Sequence, residues 1–161
     1  MRFEDLARQY AADLYRYAFW LARDRSQAED IVQEALLRGW RAFPRLREQG
    51  AAKRWLFSIV RNEYLRAAEA GSRQPESLEG LDPPDEPSPE LGLEMREALA
   101  ALPASYAEPL ALQVLGGFSC AEIAALLGTT EGATMTRLTR ARQALKRLVA
   151  SPGTRERKGE R

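Results

Sequence analysis

SCAEIAALLGTTEGATMTRLTRARQALKRL, Ser119–Leu148, is the stretch whose reading decides the fold. Ser119-Cys120-Ala121-Glu122 has the capping-box form, in which a hydroxyl and a carboxylate satisfy two backbone donors at a helix start. An apolar run follows to Leu127, Gly128 stands where a helix C-cap belongs, and a second periodic segment begins at Glu131. In that segment Leu138, Ala141, Leu145 and Leu148 recur at helical spacing and form the stripe to be buried. Thr136, Arg137, Thr139, Arg140 and Gln143 are left toward solvent or a ligand. A short helix, a glycine turn and a second helix make a helix-turn-helix, whose second helix presents its amino-terminal part to base edges and its flanking cations to phosphates. Charge alone fits a solvated basic helix equally well; the turn punctuation is what favours DNA.

Working outward from this hairpin, Ser105-Tyr106-Ala107-Glu108 has the same capping-box form, and Gly116-Gly117 closes the helix that it opens. Ser88-Pro89 predicts a further helix start, running to about Leu102 before Pro103 stops it. Upstream lies GSRQPESLEGLDPPDEP, residues 71–87, rich in Pro, Gly and acids, with the composition of a flexible tether. Before it, three helices are expected. The first runs over about 3–22 with Phe3, Leu6, Tyr10, Leu14, Tyr17 and Leu21 inward. The second opens at a Ser26-Gln27-Ala28-Glu29 capping box and ends near Pro44. The third covers about 51–70 with Trp55, Leu56, Ile59, Val60 and Leu65 as its apolar face. No segment alternates as a half-buried strand would. The fold class is therefore all-α: two small helical domains, 1–70 and 88–150, joined by the acidic linker 71–87 and followed by a disordered basic tail, 151–161.

Composition narrows the chemistry. Among 161 residues there is no histidine and one cysteine, Cys120, so a disulfide framework is excluded and the commonest metal ligand and general base are missing. No glycine-rich phosphate loop or evident acid pair replaces them; neither an enzyme, a metal nor a cofactor is expected. No apolar run reaches the ~20 residues needed to span a bilayer, and the first ten residues lack the apolar core of a signal peptide, so the expectation is a cytoplasmic protein without membrane insertion. Net charge is only +1, but residues 133–161 carry nine Lys/Arg against Glu156 and Glu160, an asymmetry that suits an anionic partner. Cys120, at a helix start, is expected to be a small packing residue rather than a redox sensor.

The ordered pieces Leu-Pro, Gly-Phe-Ser, Glu-Ile-Ala, Leu-Gly and Arg-Leu-x-Arg-Ala-Arg within residues 102–145 resemble the carboxyl-terminal domain of extracytoplasmic function (ECF) sigma factors, the two-domain promoter-recognition subunits of bacterial RNA polymerase. The resemblance implies that this domain binds the -35 promoter element through Thr134, Met135, Thr136, Arg137, Thr139, Arg140 and Gln143. AEDIVQEALLRGWRAF, residues 28–43, is similar to the family's polymerase-docking helix. Asp30, Gln33, Glu34 and Leu37 share one helical face, which the resemblance assigns to the β′ clamp helices, while Ile31, Ala35, Leu36 and Trp40 lie largely on another. KRWLFSIVRNEYLR, residues 53–66, looks like the segment that holds the melted -10 strand, with Lys53, Arg54, Arg61, Asn62, Tyr64 and Arg66 as its participants. Trp55, Phe57 and Ile59 are assigned to the core.

The implied partners are core RNA polymerase, through its β′ clamp helices and β subunit, promoter DNA, and an anti-sigma factor. The sequence departs from the family pattern in three places. EYLRAAEA after Asn62 is less basic than usual, Ala107 stands where Arg is common, and Met135 replaces a cation near the DNA face. The competing reading is a helix-turn-helix repressor that acts without polymerase.

Overall fold

The computed structural model describes residues 2–70, 97–98 and 100–160, and the chain divides into two units, Met1–Pro87 and Ser88–Arg161. The tether 71–87 and the Ser88-Pro89 helix start lie outside the described residues. Among the described residues all regular structure is helical.

The first unit is built from α1 (Phe3–Ala22), α2 (Arg25–Ala42) and α3 (Ala52–Glu69), with 3-10 turns at Phe43–Arg45 and Gln49–Ala51 between the last two. Each helix packs on both others. α1 stops because Arg23 turns left-handed (φ 56°), a conformation that strains a side-chain-bearing residue. Local contacts offset that strain: the Arg23 N–H donates to the Phe19 carbonyl at 2.7 Å, Nε donates to the Trp20 carbonyl at 3.0 Å, and the guanidinium lies 4.5 Å from the Trp20 ring centroid.

The next residue opens α2. Asp24 is extended and its carboxylate accepts the Gln27 N–H at 3.1 Å, so Asp24 is the cap. The expected Ser26 capping box does not form. A two-residue link leaves the helix already running at Arg25, with Ser26 inside its first turn.

Leu14, Tyr17, Ala28, Ala35, Leu56, Phe57 and Val60 are fully enclosed, with the Tyr17 and Phe57 rings 5.2 Å apart. Phe3 lies edge-on to Phe43 at 5.6 Å and presses against Gly39, where an added Cβ would stand 3.2 Å from the Phe3 ring and 3.3 Å from Leu56. Gly39 thus lets three helices meet at one point. Two expectations for the packing faces need correction. On α3 the buried positions are Ala52, Leu56, Phe57, Val60 and Glu63, whereas Leu65 is 43% exposed and Trp55 and Ile59 are half-buried. A carboxylate lies inward on this face because Glu63 Oε2 is ion-paired to Arg38 of α2 and, at 3.5 Å, to Arg66 of its own helix. On α2, Trp40 is 57% exposed. At 100° per residue it falls between Gln33 and Leu36, on the rim of the packing face rather than inside it.

In the second unit, Glu97, Ala98, Ala100 and Ala101 are helical and precede α4 (Ala104–Gly116), α5 (Cys120–Leu127) and α6 (Glu131–Glu160). α4 begins one residue before Ser105, on an extended Pro103 without a side-chain cap, so the second expected capping box is also absent. Pro109, buried in the second turn, removes the bond that its nitrogen would have made to Ser105. The third box does form: Glu122 N–H donates to Ser119 Oγ at 3.2 Å and Ser119 N–H to Glu122 Oε1 at 2.9 Å. α6 packs on α4 and α5 around Leu110, Leu112, Phe118, Ile123, Leu138 and Ala141. Its backbone stays helical through Ser151–Glu160, the stretch expected to be disordered. The helical backbone thus spans Glu131–Glu160 as one element.

Candidate functional site

Three outward faces result, two on the first unit and one on the second. On α2, Ala28, Ile31, Val32, Ala35 and Gly39 are sealed against the core, which turns Asp30, Gln33 and Leu37 to solvent, Leu37 at 47% exposure. Glu34 is half-buried and lies 3.4 Å from Arg38 one turn on. Trp40 extends the row of Gln33 and Leu37, giving a face with acids at one end and a leucine and an indole at the other. The sequence carried the signal for Trp40, since positions 33, 37 and 40 follow helical spacing, but a tryptophan invites assignment to the core. Beside it, Trp40, Arg41, Phe43 and Pro44 meet Arg2, Phe3 and Glu4 of the α1 start around a shallow cleft.

The residues expected on α3 do not form one cluster. Arg54, Arg61 and Asn62 share an outward arc with Leu65, Asn62 exposed and the two arginines half-buried. Lys53 and Tyr64 lie on the edge nearest α1. The Lys53 ammonium sits 5.6 Å from the Tyr10 ring centroid, and Tyr64 is an electrostatic neighbour of Arg23. Burial makes the Arg23 guanidinium lose its proton more readily than usual, while Tyr64 acts in the opposite direction. Arg66 lies on the far edge and its charge is partly met by Glu63. The outward arc is therefore carried by two cations and an amide, with an apolar side chain among them.

The third face belongs to α5 and α6. Gly128 (φ 67°) caps α5 in the left-handed region that glycine enters without strain, and its N–H and that of Thr129 both return to the Ala124 carbonyl. Thr130 then starts α6, its Oγ1 accepting the Ala133 N–H at 3.0 Å. From that start Met135, Thr136, Thr139, Arg140 and Gln143 project outward and Arg137 is half-buried. Thr134 is a correction: it is 1% exposed, and its hydroxyl donates at 3.0 Å to the Thr130 carbonyl. It belongs to the core stripe with Leu138 and Ala141, while Leu145 and Leu148 are only half-buried. Arg142 is bonded to Gln113 of α4. Cys120 is half-buried at the start of α5. Among the described residues no group of His, Cys, Asp or Glu is placed to hold a metal, and no helix is long and apolar enough to cross a membrane.

Comparison with known proteins finds two family matches along the chain. Residues 6–74 match Sigma-70 region 2 and residues 92–145 match Sigma-70 region 4. The chain is similar to the ECF RNA polymerase sigma factor SigL of Mycobacterium tuberculosis, 37% identical over 155 residues that cover 90% of this chain and 87% of that protein. It is similar also to SigM of the same species, 32% identical over 152 residues covering 91% and 76%. Among solved structures it resembles the sigma factor RpoE from Bartonella quintana in complex with the anti-sigma factor NepR, with TM-score 0.70 and 28% identity over 91% of this chain and 98% of that one.

Proposed function

Because this chain belongs to the ECF RNA polymerase sigma factors and so directs promoter-specific initiation, we propose that its three outward faces divide that work. The α2 row of Asp30, Gln33, Leu37 and Trp40, with Glu34 at its edge, docks on the polymerase clamp. The α3 arc of Arg54, Arg61 and Asn62, flanked by Lys53, Tyr64 and Arg66, holds the melted -10 strand. The outward face of α6 enters the major groove of the -35 element through Met135, Thr136, Arg137, Thr139, Arg140 and Gln143. The tether 71–87 spans between the two elements: seventeen residues at up to ~3.3 Å each reach tens of ångströms. The protein itself catalyses nothing and works in the cytoplasm, where an anti-sigma partner holds it inactive by covering these faces; the similar sigma factor RpoE was solved in complex with an anti-sigma factor.

The observation that carries this reading is the α2 row: one side of the helix is closed by the core, and the other exposes two acid or amide groups beside two large apolar ones. The match to region 2 leaves the alternative, a repressor acting without polymerase, unfavoured. The test is capture of core polymerase by the purified chain, followed by run-off transcription from a mapped promoter. Asp30→Ala with Gln33→Ala is expected to weaken assembly at least tenfold and leave the thermal melt unchanged. Wild-type protein that core polymerase ignores would refute the proposal. In the assembled holoenzyme, Arg140→Ala is expected to lower the slope of log affinity against log salt by about one unit on promoter duplex.

A further inference from the structure

We propose that Met135 is a specificity-determining residue, reading the C5 methyl of a thymine in the -35 element by apolar contact in the major groove. The inference rests on the assignment of α6 to that element and adds what its first turns recognise. Met135 is 55% exposed and lies in the second turn of α6, the part of a recognition helix that faces base edges. An exposed apolar side chain by itself means little, since folded proteins expose many. Its company gives it meaning. Glu131 lies one turn before it, but Gly132, Thr136 and Thr139 beside it on the exposed face are uncharged, and a Cβ at Gly132 would meet nothing within 4 Å. Between the exposed Glu131 at the helix start and the half-buried Arg137, the first two turns of the outward face thus hold a bare backbone, a thioether and a threonine. The cations Arg140, Lys146 and Arg147 come later, where phosphates are in reach.

Side-chain chemistry narrows the target. A thioether has no proton to donate and accepts only weakly, so Met135 cannot make the paired bonds by which Arg or Lys recognises guanine O6 and N7. The thymine methyl is the one apolar group that a base edge presents in the major groove, and a flexible, polarisable side chain can follow it without strict geometry. The neighbouring threonine methyls extend the same apolar surface.

The experiment uses holoenzyme assembled from the full chain and core polymerase, on duplexes carrying the promoter fixed by transcript-start mapping. Each -35 thymine is replaced singly by deoxyuridine, which removes only the methyl. Loss of one buried methyl is expected to weaken wild-type binding about fourfold at one position. Met135→Ala should bind the unmodified duplex about fourfold more weakly and be indifferent to deoxyuridine at that position, whereas Met135→Leu should stay sensitive. The proposal is overturned if wild-type binding tolerates deoxyuridine everywhere, or if Met135→Ala keeps the wild-type pattern of sensitivity. A wild-type holoenzyme that does not distinguish its -35 element from scrambled sequence would instead refute the assignment of α6, and the inference with it.

Discussion

Gly116→Ala tests the packing at the link between α4 and α5, where the helix-turn-helix begins. Gly116 is the last residue of α4, and Phe118, 5% exposed, folds back over it. A methyl at residue 116 would stand 2.5 Å from Phe118 Cδ2, where carbon atoms normally rest at about 3.5–4.0 Å. The obstacle is a buried ring, so something must move by about 1 Å. Overpacking of this kind costs about 1–3 kcal/mol, and the better helix propensity of alanine returns part of it, leaving a net loss of about 1–2 kcal/mol. In a unit of this size that corresponds to a fall in melting temperature of about 5–15 °C.

The chain supplies its own internal reference for this measurement. Trp20, Trp40 and Trp55 all lie in the first unit, so tryptophan fluorescence follows that unit alone, and hydrogen exchange of α4 and α5 amides follows the other. The expected result is faster exchange across α4 and α5 with an unchanged fluorescence melt. Gly132→Ala, at an open helical position in the same unit, should instead stabilise it by about 0.5–1 kcal/mol. Combining Gly116→Ala with Phe118→Leu should cost less than the sum of the two, because the smaller side chain clears the methyl. Unchanged or slower exchange in Gly116→Ala would show that Phe118 moves aside freely and that the reasoning is wrong.

Thr134→Val should lower the stability of the second unit by up to about 1 kcal/mol and leave duplex affinity at its wild-type value, since the Thr134 hydroxyl is spent on the Thr130 carbonyl; anisotropy on promoter duplex checks it. Glu63→Gln should destabilise the first unit by about 1–2 kcal/mol in fluorescence-monitored urea unfolding. This is less than a deeply buried pair would lose, because Arg38 and Arg66 are 44% and 54% exposed and regain water. Asp24→Ala should cost the same unit about 1 kcal/mol while Ser26→Ala is neutral, read from the same melts.

Among the described residues the order of the helices was legible in the sequence because each element carries a strong apolar period and is cut by Gly, Pro or a polar cluster. The capping boxes show the limit of local reading. Three Ser-x-x-Glu pieces have the same pattern, yet only Ser119 caps, because Asp24 and Pro103 open their helices before Ser26 and Ser105 are reached. What a pattern cannot register is an earlier residue with the right backbone angle.

The outward residues of α2 and most of those of α6 were readable from periodicity. Thr134 and Trp40 were misplaced for complementary reasons: a threonine can hide by bonding its own helix, and a tryptophan can be left out by a crowded junction where Phe3, Phe43 and Gly39 already fill the space. Glu63 escaped notice because its inward role depends on Arg38, which is distant in sequence and visible only once α2 and α3 are side by side.

That pairing has a further consequence. Arg38 reaches Glu34 along its own helix and Glu63 across to α3, and Glu63 in turn reaches Arg66. Charges of alternating sign therefore run in series from the rim of the α2 row to the helix proposed to hold the open strand. A cation brought against Glu34 by a docking protein would compete with Arg38 for that carboxylate and leave Arg38 more fully to Glu63, which would then hold Arg66 less tightly. Occupancy on one side of the unit would then alter the positive charge available on the other, through four side chains in series.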